Sequence, residues 1–365
     1  DWSSDVCSSA WRAPDFTAND QVPAYNQAFR YGSNFGNYPP WSNQQVADIA
    51  AGFQGLSQEG LGLKAHRPGM PESFFEFWGY DVRLADFEYF RQLDILENIA
   101  FLGFPSDAHR DQEMYCPEEA SESFANLYEP IWDNGQNNTP VNDDNFFELY
   151  VYKMVSRYKD YIRFWEVWNE PDYSPNPVTW AAPGEPGNWW ENTPDPCDLA
   201  FRAPVYHYVR MLRIAYEVIK TVDPTAYVCT GGIGNPAFLD AVLRNTDNPT
   251  NGGITTDYPL KGGAYPHIDG SMLEWVNGVG LVWHRHSDRG VEGILARKEA
   301  FQNVLSDYGY TGTSYPEKLW ILSETNLPRK EYQNYIGSVE AQRNFIIKAF
   351  VEAQKNEILQ VDVFT

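Results

Sequence analysis

Residues 164–171 read Phe164-Trp165-Glu166-Val167-Trp168-Asn169-Glu170-Pro171, an aromatic, β-prone run closed by a proline. Side chains on a strand alternate between faces. Phe164, Glu166, Trp168 and Glu170 are therefore predicted to share one face, with Trp165 and Val167 on the other. Pro171 cannot donate a ladder hydrogen bond, so the strand is predicted to stop there and leave Glu170 at its C-terminal tip. Glu166, deeper in the strand, is expected to be a hydrogen-bonded interior carboxylate. A second run, Lys318-Leu319-Trp320-Ile321-Leu322-Ser323-Glu324-Thr325-Asn326, repeats the arrangement, an apolar strand that ends in a glutamate.

Outward from these two runs, strand-like and helix-like segments alternate along the chain. Strands are predicted near 28–34, 61–66, 97–103, 162–169, 226–231, 279–285, 318–323 and 359–364. Helical spacing links Val46, Ile49, Ala50, Phe53 and Leu56, then Phe146, Leu149, Tyr150, Val155 and Tyr158 after an Asn142–Asp144 capping stretch. Ala341, Phe345, Ala349 and Phe350 mark the last helix. Eight strands alternating with helices predict an α/β fold, a (β/α)₈ TIM barrel over residues 25–365 with an N-terminal arm over 10–24. The eighth strand ends at the last residue, Thr365, so the barrel is expected to be truncated after that strand. Long connections follow strand 3 (104–142) and strand 4 (171–202). Loops of that length are usually functional, and on a barrel they rise over the C-terminal face where active sites lie.

The pairing of Trp-Asn-Glu-Pro at the end of strand 4 with Ser-Glu-Thr-Asn at the end of strand 7 resembles clan A of the glycoside hydrolases. The lead-in Tyr158–Val167 (YKDYIRFWEV) and the helix end Ile219-Lys220-Thr221-Val222-Asp223-Pro224 look similar to family 39 and its relatives. The resemblance spans residues 25–365. It implies a retaining glycosidase with Glu170 as general acid/base and Glu324 as nucleophile. It needs no cofactor and no metal, and it acts on β-linked oligo- or polysaccharide. Retention calls for two carboxyl groups about 5–5.5 Å apart, one to protonate the leaving oxygen and one to attack the anomeric carbon. An ionised Glu324 would keep the proton on Glu170 by like-charge repulsion until the glycosyl ester forms. The resemblance further places Asn169 at the sugar 2-hydroxyl and Arg67 beside the nucleophile. On strand 6 the clan often shows His-x-Tyr; here His284-Arg285-His286 puts a histidine where the tyrosine is expected. Trp168, Trp180, Trp189 and Trp190 are candidate sugar-stacking surfaces, the last three in the strand-4 loop.

Composition limits the partners. Fifty acidic against 27 basic residues give a formal charge of −23, which opposes nucleic acid and anionic membranes. An aromatic content of 16% suits a carbohydrate partner, whose C–H faces stack on rings. Residues Asp1–Ser9 (DWSSDVCSS) read as a non-native, adapter-like extension of the kind found in metagenomic assemblies. No signal peptide remains in the chain, and a secreted or periplasmic location is expected. Cys116 and Cys197 lie in Pro-rich loop stretches that can pair if the loops meet, as an oxidising compartment allows. Cys229, in an apolar run, is expected to be a buried free thiol.

Other readings remain open. A carbohydrate-binding barrel without catalysis would keep aromatic platforms but dispense with one glutamate. His284 and His286 share a strand face, as in metal-dependent barrel hydrolases, but a metal site needs three or four converging ligands. Gly232-Ile233-Gly234-Asn235-Pro236-Ala237 matches a dinucleotide fingerprint, yet no strand ending in an acid follows at the required distance. A turn after strand 5 accounts for it better.

Overall fold

β-Branched and aromatic residues concentrate in the strands Ile162–Val167 and Tyr227–Thr230, and every strand pairs in parallel with its neighbours. The computed structural model describes residues 19–35, 41–52, 60–133, 135–174, 176–259, 261–262, 270–274, 291–327, 329–330 and 337–363. Among these the strands are β1 (Arg30–Ser33), β2 (Ala65–His66), β3 (Gly69–Pro71), β4 (Asn98–Gly103), β5 (Ile162–Val167), β6 (Tyr227–Thr230), β7 (Gly270–Glu274), β8 (Leu319–Thr325) and β9 (Ile358–Val363). The helices are α1 (Asn43–Ala51), α2 (Glu72–Trp78), α3 (Leu84–Gln92), α4 (Phe146–Tyr158) and α5 (Val205–Val222). They continue with α6 (Pro236–Arg244), α7 (Val291–Asp307) and α8 (Val339–Lys355).

The sheet runs β2-β1-β9-β8-β7-β6-β5-β4-β3. Its two end strands are separated in the chain only by Arg67 and Pro68, so the strand order begins and ends on one continuous stretch of backbone. Most predicted strands coincide with observed ones to within a few residues. Two positions differ. β3 (Gly69–Pro71) stands beyond the eight strands expected. The strand between β6 and β8 is Gly270–Glu274, and the expected segment 279–285 lies outside the described residues.

The two faces of the sheet bury different sets. Ile99, Phe164, Tyr227, Cys229 and Ile321 form a small inner cluster, and Val22 and Tyr25 of the N-terminal arm pack against it. Trp165 and Val167 lie on the other face, in the large cluster that also takes in the helices. α4 buries Phe147, Tyr150, Val151, Met154, Val155 and Tyr158, and its cap is Asn145 rather than the expected 142–144. α1 carries a full capping box on Ser42 and Gln45 and is capped at Gly52, and Phe53 and Leu56 lie outside the described residues. No helix among the described residues is long and apolar enough to cross a membrane.

The two long loops follow β4 and β5 and hold each other. Cys116 and Cys197 form a disulfide across an 81-residue separation, while Cys229 is buried and is a thiol outside any disulfide. Beside the disulfide, the Glu122 amide donates to the Phe201 carbonyl at 3.0 Å, and Arg202 pairs with Glu119 at 2.9 Å. Closing so long a loop restricts the unfolded chain strongly. Replacing both cysteines by serine is expected to lower the unfolding free energy by roughly 2–4 kcal/mol. Denaturant titration checks this, and coincident curves for the variant and the parent would refute it.

Candidate active site

The break between β2 and β3 places one arginine at the middle of a carboxylate group. Arg67 donates its backbone amide to the Ser33 carbonyl at 3.3 Å, and its guanidinium is almost fully buried. Nε reaches Glu166 Oε2 at 2.8 Å and Nη2 reaches Glu166 Oε1 at 2.6 Å, a bidentate pair. Nη1 meets Glu324 Oε1 at 2.6 Å, and Nη2 also meets Asn169 Oδ1 at 2.7 Å. One cation thus connects the β2–β3 break, the interior of β5, the residue after Trp168 and the tip of β8. Bidentate arginine–carboxylate contacts fix geometry as well as charge. Glu166 is completed by the Gly232 amide at 2.6 Å, and Glu324 by Asn34 Nδ2 at 3.1 Å. Glu166 is therefore the interior, fully bonded carboxylate expected from the sequence, and Arg67 does stand beside Glu324.

The end of β5 departs from simple alternation. Trp168 has φ 71° and Glu170 φ 45°, left-handed values that L-residues avoid. The chain therefore turns after Val167. Trp168 leaves the face shared by Phe164 and Glu166 and joins the large helix-side cluster. The period-two expectation is corrected at that residue. Two glycines leave room for the turn. A β-carbon on Gly103 would come within 2.8 Å of the Trp168 ring, and one on Gly231 within 2.8 Å of Val167 O and of Pro171. Tyr208 pins it from below, donating to Val167 O at 3.0 Å and accepting from Gly231 N at 2.8 Å. Backbone in such regions costs about 1–3 kcal/mol per residue and persists only where the surroundings enforce it. Glu170 emerges half-buried at this bend and lines a pocket of about 370 Å³ together with Asn169.

Carboxylates outnumber the buried cation. Burial pushes the Glu324 carboxyl above the usual range and Glu166 adds to this, while Arg67 and the Asn34 hydrogen bond oppose it. Asp362, fully buried on β9, is pushed up to about 7 by burial, with Gln360 and Arg67 opposing and Glu166 and Glu324 adding to the rise. Asp172 is likewise raised to about 7 by burial, although its carboxylate accepts from Gly234 N at 3.0 Å and Asn235 N at 2.6 Å. The Gly232–Ala237 segment thus spends its amides on Glu166 and Asp172. It is the turn that leads into α6, with Asn235 as its cap.

The tryptophans divide. Trp168 is 1% exposed, with Phe104 stacked 4.8 Å from it, and Trp189 is 2% exposed. Trp168 contributes to the lining of the pocket beside Glu170, and Trp189 does not. Trp180 and Trp190 are half-buried, with the Arg297 guanidinium 5.3 Å from the Trp180 ring centre. Neither lines the pocket beside Glu170. His284 and His286 lie outside the described residues. Among the described residues, Glu72, Glu76 and His109 have metal-ligand spacing. They are satisfied within the protein, Glu72 by Ser106 N and His109, Glu76 by Tyr80 and Lys153. Three residues of the site escape a reading of the sequence, namely Asn34, Asp172 and Asp362. Asn34 directly follows β1, and Asp362 interrupts an apolar strand, so strand-end and interior-polar positions carry the signal. Asp172 has only its closeness to Glu170.

No known family profile matches the chain, and no curated protein matches it. Solved structures do match. A glucosidase from Croceicoccus marinus aligns over 96% of this chain and 62% of its own, at 13% identity and a TM-score of 0.53. The virulence factor SghA from Agrobacterium tumefaciens aligns over 88% of this chain and 76% of its own, at 11% identity and a TM-score of 0.52. A family 39 glycoside hydrolase from Bacteroides cellulosilyticus aligns over 92% of this chain, at 12% identity and a TM-score of 0.49. The chain spans 56% of the length of that hydrolase and 62% of the glucosidase. The parallel α/β fold is thus similar to those of the glucosidase and of SghA. At these identities the likeness is one of fold.

Asp172 and Asp362 keep their protons to about pH 7 in the folded protein, against 3.8 for the ordinary group. Across that window the unfolded chain binds fewer protons, so stability falls as pH rises. Their contribution is complete below the unfolded value and lost on passing the folded one. Each group contributes a slope of about 1.4 kcal/mol per pH unit where the two states differ by one proton. Asp362→Asn is expected to flatten the decline, as urea titrations across the window can measure. A variant with the parent's slope would remove Asp362 as its source.

Proposed function

We propose that the sheet closes into a (β/α)₈ barrel and that the chain is the catalytic part of a retaining glycoside hydrolase acting on β-linked oligo- or polysaccharide. The observation that carries this reading is the Arg67 junction. A single buried guanidinium holds the strand-end Glu324 and the Asn169 side chain that immediately precedes Glu170. Glu324 and the residue next to Glu170, from strands far apart in the sequence, are thereby tied to one centre. In the proposed reaction Glu170 gives its proton to the leaving oxygen while Glu324 attacks the anomeric carbon. Water, deprotonated by Glu170, then releases the sugar with its original anomeric configuration. Asn169 is assigned to the sugar 2-hydroxyl, and Arg67 and Asn34 to holding Glu324 as the carboxylate.

The acidic balance of the chain favours neutral sugars over nucleic acid or anionic lipid. The disulfide fits a secreted or periplasmic protein. The reading invokes neither metal nor cofactor.

Glu324→Gly should abolish turnover, and azide should restore part of it with the inverted glycosyl product. Near-parental activity of that variant would end the nucleophile assignment. Glu170→Ala should lower kcat/KM by roughly 10²–10⁴ on substrates with poor leaving groups, yet far less on activated aryl glycosides. Equal losses on both would remove Glu170 as the acid. A further consequence concerns pH. Because Glu324 must ionise and sits above the usual carboxylate range, the acid limb of kcat/KM should lie above that range. Asn34→Ala deletes a bond to the ionised form and should move the limb to higher pH, whereas an unmoved limb would separate Asn34 from Glu324 function.

A further inference from the structure

Glu170 stands between two backbone clamps, one on each side of the bend after β5. Upstream, the Tyr208 hydroxyl donates to the Val167 carbonyl at 3.0 Å. Downstream, Asp172 is 4% exposed, and its Oδ2 accepts from Gly234 N at 3.0 Å and Asn235 N at 2.6 Å. The two left-handed residues, Trp168 and Glu170, lie between these points. Such backbone persists only where its surroundings enforce it, so whatever holds the two ends holds the conformation of Glu170.

The downstream clamp is fixed to regular structure. Asn235 caps α6 through Ala237 N at 3.0 Å, and its Nδ2 donates to the Thr179 carbonyl at 2.9 Å. Arg297 of α7 donates to the Gly234 carbonyl. The peptide between Gly234 and Asn235 is therefore gripped at its oxygen by Arg297 and at its nitrogen by Asp172. The same turn sends its Gly232 amide to Glu166 at 2.6 Å, and Glu166 is bidentate with the arginine that holds Glu324. One turn thus joins the segment that carries Glu170 to the network that carries Glu324.

Resting on the reading of Glu170 as the acid, we propose that Asp172 is a positioning residue. It anchors the bend after β5 to the turn before α6, and so sets where the Glu170 carboxyl stands relative to Glu324. Burial holds the Asp172 proton up to about pH 7. In that state the side chain offers one accepting oxygen and one O–H, the pattern of an asparagine amide. The anchor therefore needs an acceptor and not a charge.

The test uses the full chain and two substitutions. Asp172→Asn keeps the accepting oxygen, and Asp172→Ala removes it. The probes are the 2,4-dinitrophenyl β-glycosides and the β-linked disaccharides of glucose, xylose, galactose and mannose. Asp172→Ala should lower kcat/KM for the disaccharide by roughly ten- to a hundredfold, chiefly in kcat. The loss should be much smaller for the aryl glycoside, whose departure needs no acid. Asp172→Asn should stay within about threefold of the parent on both. Arg297→Ala frees the same peptide from its other side and should repeat the alanine pattern in weaker form. Equal losses on both probes, or an asparagine variant as impaired as the alanine one, would overturn the assignment.

A parent that cleaves no probe would count against the hydrolase reading instead. Amide exchange then decides Asp172 by itself. The Tyr173 amide donates to the Glu170 carbonyl at 3.0 Å. It should exchange about tenfold faster in Asp172→Ala and Arg297→Ala, and at the parental rate in Asp172→Asn. Parental rates in all three variants would refute the anchor.

Discussion

A single buried positive charge sets the terms for the rest of the site. Arg67 satisfies Glu166 twice, Glu324 once and Asn169 once, at a depth where the guanidinium cannot turn to water instead. Charges in such a place cost several kcal/mol each to desolvate and are tolerated only when their partners are complete. The chain supplies that completeness from separate elements: the Gly232 amide from the loop after β6, Asn34 from the end of β1, and the strand ends themselves. Loss of any one partner would leave its neighbours uncompensated. The elements are thus locked in mutual register by polar demand as much as by apolar packing.

The backbone turn after Val167 answers a related demand. A regular strand would have continued Trp168 and Glu170 along the face of Glu166. Left-handed conformations at both residues instead send the indole into the helix-side core and bring Glu170 to the open end. The indole anchors the turn and the carboxyl is what the turn presents. Gly103 and Gly231 on the flanking chains make the close approach possible, and the Tyr208 hydroxyl clamps it.

Much of this is legible in the sequence, and the exceptions have physical causes. Apolar runs ending in Glu170 and Glu324 announce strands with polar tips, because the pattern of a buried parallel strand is nearly continuous and its end is abrupt. Glu166 is readable as interior from alternation alone. Alternation fails at Trp168, where positive φ breaks the two-residue period on which the argument rests. Trp189 reads as a loop surface because its neighbours are Gly, Asn and Pro, yet the long loop folds back and buries it. The two partners of the disulfide can be named from their loops, but their pairing depends on where those loops meet in space. Asn34 and Asp172 take their roles from partners on distant elements, Glu324 and the Gly234–Asn235 amides, whereas Asp362 shows in the sequence only as a polar residue within an apolar strand. The strand Gly270–Glu274 is short and weakly apolar in sequence, so the stronger apolar run at 279–285 draws the expectation away from it.

The excess of carboxylates around Arg67 bears directly on the proposed chemistry. With Glu166 and Glu324 about one guanidinium, the inner end of the site already carries surplus negative charge, and ionisation of Asp362 adds to it. Breaking a glycosidic bond builds positive charge on the anomeric carbon, and fixed groups of opposite sign stabilise it without reorganising. The same surplus hinders the resting state, for it drives Glu324 toward its protonated form. A proton held on Asp362 relieves that pressure, so the two acids oppose each other's ionisation. The architecture therefore settles a conflict by depth. Glu166 is neutralised by bidentate pairing, and Asp362 is quieted by burial. Glu324 alone among the three carries both Arg67 and Asn34 as donors at the tip of its strand, where a substrate can reach it.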